Sequence, residues 1–293
     1  MPINENVPVS VIMAFHNGDN TDIAKITIES ILSQTHKNLE FIISVGGYIS
    51  EEKNKMLENY AEKDNRVKIL HSKINTGPSH SRNRGIEIAL GEYCAIADSD
   101  DIFFEDKIEK QLDWIIQKKL DFLGCGYVEF CNDHKSEKGT TRILPRNYTS
   151  IIKSLPFANP IANSALFIKT GILKEFLYDE KFSPGDGEDY DLTIRLIKAK
   201  KIAENIPKPL FFYRLGNNFN KKHANIRCST RDLQHKFKAS SVLSFWWFPV
   251  IFLSAIAAFF CRLFPPKIFG VMRNFRHKIF GEKEAENIIF PLP

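Results

Sequence analysis

Two acidic clusters hold most of the residues in this sequence that are suited to chemistry. Asp98, Ser99, Asp100 and Asp101 follow the apolar run 93–97, so three carboxylates crowd one strand end, where they repel one another unless a cation neutralises them. A hard divalent ion with oxygen ligands meets that need. A solvated acidic turn ahead of a helix starting near Glu105 is the plainer alternative. An EF-hand loop is excluded: Glu109 falls at the twelfth position, but Ile102 and Phe103 stand where a ligand and a glycine are required. The second cluster, Asp186, Gly187, Glu188, Asp189, Tyr190 and Asp191, precedes Leu192, Ile194, Leu196 and Ile197, the buried face of a helix expected to run to Lys200. An acidic first turn is favoured by the helix dipole, yet four carboxylates exceed what capping needs. Two separated acidic clusters suit a metal-assisted transfer with a general base, the base lying in the second.

The elements that must position these clusters alternate. Residues 9–15 are a continuous apolar run, as in a strand buried on both faces. An apolar stripe at helical spacing follows at Ile23, Ile26, Ile28, Ile31 and Leu32, and residues 39–45 read as the next strand. The pattern recurs as a helix over 50–60, a strand over 67–70, a helix over 79–89 and a strand over 93–97. Such alternation implies an α/β fold with parallel pairing, whose ligands collect beyond the carboxyl ends of the strands. Those ends carry His16-Asn17-Gly18, Gly46-Gly47-Tyr48, Asn75-Thr76-Gly77-Pro78 and the first acidic cluster. Residues 119–160 show little that marks chemistry.

Five ordered motifs carry a family resemblance across residues 7–215: 9–13, Ser30-Ile31-Leu32-Ser33-Gln34-Thr35, Asn75-Thr76-Gly77 with Ser81-Arg82-Asn83, 91–101, and Gly187-Glu188-Asp189-Tyr190. In this order they resemble family 2 glycosyltransferases. The resemblance implies a GT-A fold, a Rossmann-like, mostly parallel sheet flanked by helices. It also implies inverting transfer of a single sugar from a nucleotide-diphosphate donor, usually a UDP-sugar, assisted by Mg2+ or Mn2+. By the same resemblance Asp100 binds the metal, and Asp98 contributes to it or approaches the ribose or sugar. Asp189 is the base, with Glu188 orienting it or touching the acceptor. Ala14, His16, Arg82, Asn83 and Ser99 join Asp98 at the donor. The chain also departs from the family pattern. Ala14 replaces a usual Pro, and Val45 stands where an Asp binds uracil, leaving base recognition to backbone groups or Ser44. Gly216 stands where a His often follows the Tyr213-Arg214 pair, a contact His223 could supply instead. The Gln-x-x-Arg-Trp motif of processive synthases is missing, since Leu196 follows Arg195, which favours single-sugar transfer.

Composition places these residues in a large globular core: 293 residues, 43% hydrophobic and 26% charged, with 24 Phe. The formal charge of +5 is carried by residues 216–293, where 12 Lys or Arg face 4 Asp or Glu, leaving −3 for residues 1–215. A body of that sign is a poor nucleic-acid binder, whereas the basic tail suits an anionic membrane surface. The chain accordingly divides into a catalytic domain, 1–215, and an apolar, basic helical tail, 216–293. Within the tail, residues 239–261 form 23 positions without a charge, enough at roughly 1.5 Å each to cross a core of about 30 Å. Pro249, Trp246 and Trp247 fit a straight span badly. The stripe Ile268, Val271, Met272, Phe275 and Ile279 suits an interfacial helix, and the alternative is packing on the catalytic domain or a partner. Five cysteines without a two-residue-gap pair, and no secretory signal, point to reduced thiols and the cytoplasmic side of the membrane. The expected acceptor is a glycan or a lipid-linked sugar in surface polysaccharide or glycolipid assembly. The rival readings are a catalytically impaired membrane-tethered subunit and a sugar-phosphate nucleotidyltransferase. The latter needs a Gly-rich, Arg-containing loop after the first strand, and His16-Asn17-Gly18-Asp19 is not one.

Overall fold

The computed structural model describes residues 4–131, 139–183, 185–215 and 226–242, with 249, 252, 253 and 256 as isolated positions. β1 (Val9–His16) pairs in parallel on both sides, with β2 (Leu39–Gly46) and β4 (Tyr93–Ala97). It is therefore buried on both faces, which is why its sequence shows no polar alternation. β3 (Val67–His71) extends the parallel set beyond β2. The intervening helices start on local chemistry. The Asn20 side chain accepts from the amides of Asp22 and Ile23 at the start of α1 (Thr21–Leu32), and Ser50 accepts from Lys53 at the start of α2 (Glu51–Lys63). Pro78 opens α3 (Pro78–Ile88), where its missing N–H is no loss.

Past β4 the chain adds β5 (Ile102–Phe103), α4 (Lys107–Lys118), β6 (Phe122–Cys131), β7 (Thr140–Arg142) and α5 (Tyr148–Ser154). A 3-10 turn (Asn163–Ala165), β8 (Phe167–Lys169), α6 (Thr170–Phe176), α7 (Glu188–Lys198), β9 (Ala203–Leu215) and α8 (Ile226–Ser240) follow. The strand order is β3-β2-β1-β4-β8-β6-β9-β5, with β7 beside β6. The sheet is mixed rather than mostly parallel: β8 runs against both β4 and β6, and β5 and β7 run against β9 and β6, while β6 and β9 are parallel. The strand–helix–strand crossover that makes neighbours parallel repeats only as far as β4. Beyond it β6 and β7 pair as sequence neighbours, which antiparallel strands allow, and β8 joins the two parallel sets by opposing both.

Apolar layers cover both faces. Val11, Met13 and Phe15 of β1 pack with Ile28, Leu57, Ile108 and Leu112 from α1, α2 and α4. Ile12, Ile42 and Ile96 pack with Ile86, Ile151, Leu173 and Ile194 from α3, α5, α6 and α7. Cys94 and Cys125 are free and buried, and burial pushes both thiols up to about 12. α8 lies against α7, with Ala239 inside the second layer. Most of the uncharged run 239–261, the stripe from Ile268 to Ile279, Gly216 and His223 lie outside the described residues. Among the described residues no helix is long and apolar enough to cross a membrane.

Candidate active site

The carboxyl ends of β1, β2 and β4 and the N-termini of α3 and α7 meet on one side of the sheet, and Arg82 of α3 ties them together. Its guanidinium is buried and forked. One terminal nitrogen donates to Asp98 Oδ1 at 2.8 Å and the other to Glu188 Oε1 at 3.0 Å, so a single cation spans the two acidic clusters. Burial works against its charge, yet the carboxylates of Asp98 and Glu188 hold its pKa above the ordinary value. The Tyr178 ring lies under the guanidinium, 5.3 Å from its centroid, a cation–π contact. α3 can bring Arg82 this close because Gly85 faces the sheet, where a Cβ would stand 2.7 Å from Ile12 Cγ2.

Asp98 is fixed from three directions. Asn163 Nδ2 donates to Oδ1 at 2.6 Å, Arg82 donates to the same oxygen, and the Asp98 amide donates to Ser164 Oγ at 3.0 Å. Tyr178 holds Asn163 in turn, its hydroxyl donating to Asn163 Oδ1 at 2.9 Å. Asn83 is engaged within the protein: its amide nitrogen donates to Tyr178 O and Glu180 Oε1, both at 2.9 Å, and its oxygen accepts from the Tyr178 amide at 2.8 Å. The Ser99 carbonyl accepts from Thr27 Oγ1 at 3.2 Å. His16, half exposed at the end of β1, sits with Nδ1 2.9 Å from Asp19 Oδ2. Ala14 is opposite Ser44 across the β1–β2 ladder. Val45 is wholly buried in the core, and the Ser44 hydroxyl is buried without a partner.

The electrostatics of the two clusters differ. Asp100 reaches solvent but stands in a recess, and the surrounding protein with the Asp98 and Asp19 carboxylates raises it to about 6 against the pull of Arg214. Asp101 is fully buried, accepts from the Arg214 amide at 3.0 Å, and is raised by burial and then by Asp100 and Asp98. This concentration of incompletely balanced negative charge suits a cation. Among the described residues no group of three or more His, Cys, Asp or Glu is disposed to hold a metal alone. Mg2+ is usually bound by one or two carboxylates and completed by substrate phosphates, and Asp100 with Asp98 matches that partial donor set. Asp189, on the first turn of α7, is raised to about 7 by burial and by Glu188, against the Tyr190 amide and Arg82. A helix N-terminus stabilises a carboxylate, so burial wins here. Asn159 Nδ2 donates to Asp189 Oδ2 at 2.9 Å. A carboxylate poised near neutrality, fixed through one oxygen, is placed to accept a proton.

Residues 10–175 match the family described as Glycosyl transferase family 2. The chain is a family 2 glycosyltransferase. This glycosyltransferase is 33% identical to the O-antigen biosynthesis glycosyltransferase WbnJ of Escherichia coli, over 81% of this chain and 92% of that one. Its fold is similar to that of S. aureus TarS 1-349, solved in complex with UDP, with a TM-score of 0.59 at 14% identity, covering 93% of this chain and 88% of that one. It is also similar to the mannosyltransferase PcManGT of Pyrobaculum calidifontis, in complex with GDP-Man and Mn2+, with a TM-score of 0.61 at 14% identity, covering 94% and 81%. Of the residues expected from the glycosyltransferase sequence, Arg82, Asp98 and Glu188 form one network. Asp100 and Asp189 lie beside it, joined to it by charge. His16 and Ala14 lie on β1, further along the strand ends. Asn159, Asn163, Ser164 and Tyr178, which hold Asp189 and Asp98 in place, carry no mark of that role in the sequence. They fall where the helix–strand rhythm has stopped, and Asn or Ser in a loop carries no signal of its own.

Proposed function

We propose that this glycosyltransferase moves a single sugar, with inversion, from a nucleoside diphosphate donor to a hydroxyl of a glycan or lipid-linked acceptor. The observation that supports this reading is the Arg82 fork, which joins Asp98 of the first acidic cluster to Glu188 of the second; in the proposed reaction Asp98 serves the donor and Glu188-Asp189 the acceptor. The acceptor oxygen attacks the anomeric carbon and its proton passes to the Asp189 carboxylate. The bond from that carbon to the diphosphate oxygen breaks, and the diphosphate leaves with the electron pair. Asp100 and Asp98 would hold a Mg2+ or Mn2+, which would supply positive charge to the departing diphosphate. In-line attack from the opposite face inverts the anomeric centre. Asn159 and Glu188 aim the base, and Arg82 holds the two halves in register.

A UDP-sugar is the first donor to test, since TarS was solved with UDP, and a GDP-sugar the second, since PcManGT was solved with GDP-Man and Mn2+. Val45 offers uracil no carboxylate, which leaves its recognition to backbone groups at the strand ends or to Ser44. The likeness to WbnJ supports a place in surface polysaccharide assembly, and the basic, apolar tail supports docking on the cytoplasmic face of the membrane. The test is transfer or hydrolysis of UDP- and GDP-sugars with Mn2+ by the wild type and by Asp189→Asn. The variant is expected to turn over about 100- to 10,000-fold more slowly, with nucleotide affinity little changed. Full turnover by the variant, or a product that keeps the donor's anomeric configuration, would contradict the mechanism.

A further inference from the structure

The acidic turn that leads into α7 is held from outside the sheet. Gly187 takes φ +86, in the left-handed region, and a Cβ there would come within 3.1 Å of His235 Nε2. That nitrogen lies 2.9 Å from the carbonyl oxygen of Asp186. The His235 ring, 3% exposed, packs on Phe182 at 5.2 Å and Tyr190 at 5.3 Å between centroids. On either side of His235 along α8, Lys238 pairs with Asp191, and Arg231 approaches Asp186 at 3.7 Å. α8 thus touches Asp186, Gly187, Tyr190 and Asp191, the residues on either side of Glu188 and Asp189.

We infer that His235 is a positioning residue for the base, its Nε2–H holding the Asp186 carbonyl so that the turn sends Asp189 into the cleft in one direction. The inference rests on Asp189 being that base. Burial lowers the His235 pKa, which favours a neutral ring, and an accepting carbonyl selects the tautomer with the proton on Nε2. Without this bond the turn keeps its left-handed glycine and its ion pairs to Lys238 and Arg231 but loses the hydrogen bond that holds its backbone beside Gly187, and a displacement of about 1 Å at a reacting group can cost about 100-fold.

His235→Phe keeps the ring stacking and removes the donor, whereas His235→Gln restores an amide N–H at similar reach. His235→Phe is expected to lower turnover about 10- to 100-fold while the affinity for UDP or GDP with Mn2+, by calorimetry, stays within about twofold, and His235→Gln is expected to recover most of the loss. Hydrogen exchange gives a readout that needs no turnover. The Asp191 amide, which donates to the Gly187 carbonyl at 3.0 Å, should exchange faster in His235→Phe but not in His235→Gln. Wild-type turnover in His235→Phe, equal losses in both variants, or unchanged exchange at Asp191 would each overturn the inference. Full turnover in Asp189→Asn would remove the base assignment and this inference with it. An inactive Asp189→Asn beside a fully active His235→Phe would sink the positioning role alone.

Discussion

Asp189 can serve as a base only when ionised, and its surroundings raise that ionisation to about 7. Turnover is therefore expected to rise about tenfold per pH unit below that value and level off above it, a limb absent from Asp189→Asn. The same shift makes a stability statement. Between the ordinary value of 3.8 and about 7 the folded state binds the proton that the unfolded chain has released, so stability falls as pH rises through that window. Asp189→Asn should melt above the wild type at pH 8, with the gap closing toward pH 4, as thermal scans at both values would show. At the first cluster, Asp100→Ala is expected to abolish the Mn2+ dependence of nucleotide affinity in calorimetry without lowering the melting temperature, because the side chain reaches solvent. A retained Mn2+ dependence would rule out Asp100 as a ligand. At this scale the carboxylates were legible in the sequence because charge at a strand end is costly and therefore conspicuous. Asn159 and Asn163 were not, since an amide acquires its meaning only from the carboxylate that folding brings beside it.

α3 delivers Arg82 to both clusters, and the close packing at Gly85 sets its depth. Gly85→Ala would place a Cβ 2.7 Å from Ile12 Cγ2 and 3.4 Å from Ile42 Cγ2, so α3 must lift from the sheet. A loss of about 1–3 kcal/mol is expected in denaturant titration, accompanied by reduced turnover because Arg82 moves with the helix. Elements up to β4 were readable because β1 to β4 are buried strands between amphipathic helices, and periodicity reports that directly. Beyond β4 the pairing is decided by partners far away in sequence. β6 meets β7, β8 and β9, with register shifts around Gly126, and no local pattern distinguishes a strand that will run parallel from one that will not. α7 begins at Glu188, with Glu188, Asp189 and Asp191 in its first turn, as the acidic residues ahead of Leu192 suggest for a helix start.

At the scale of the molecule, α8 belongs with the catalytic body through His235, Lys238 and Ala239, so a chain ending at residue 242 is the informative truncation. It is expected to bind nucleotide as the full chain does while losing capture by anionic lipid vesicles. Full-length protein that vesicles also fail to capture would end the membrane proposal. The Arg82 fork bears on how the site comes into being. Its partners lie 16 and 106 residues away along the chain, and Asn163 reaches Asp98 across 65. Contacts of such span bear the loop-closure entropy before they return anything, so they form late. In refolding from denaturant, helical circular dichroism is expected to recover ahead of nucleotide binding, because a nascent chain can lay down β1 to β4 and their helices well before the residue that completes the cleft has joined them.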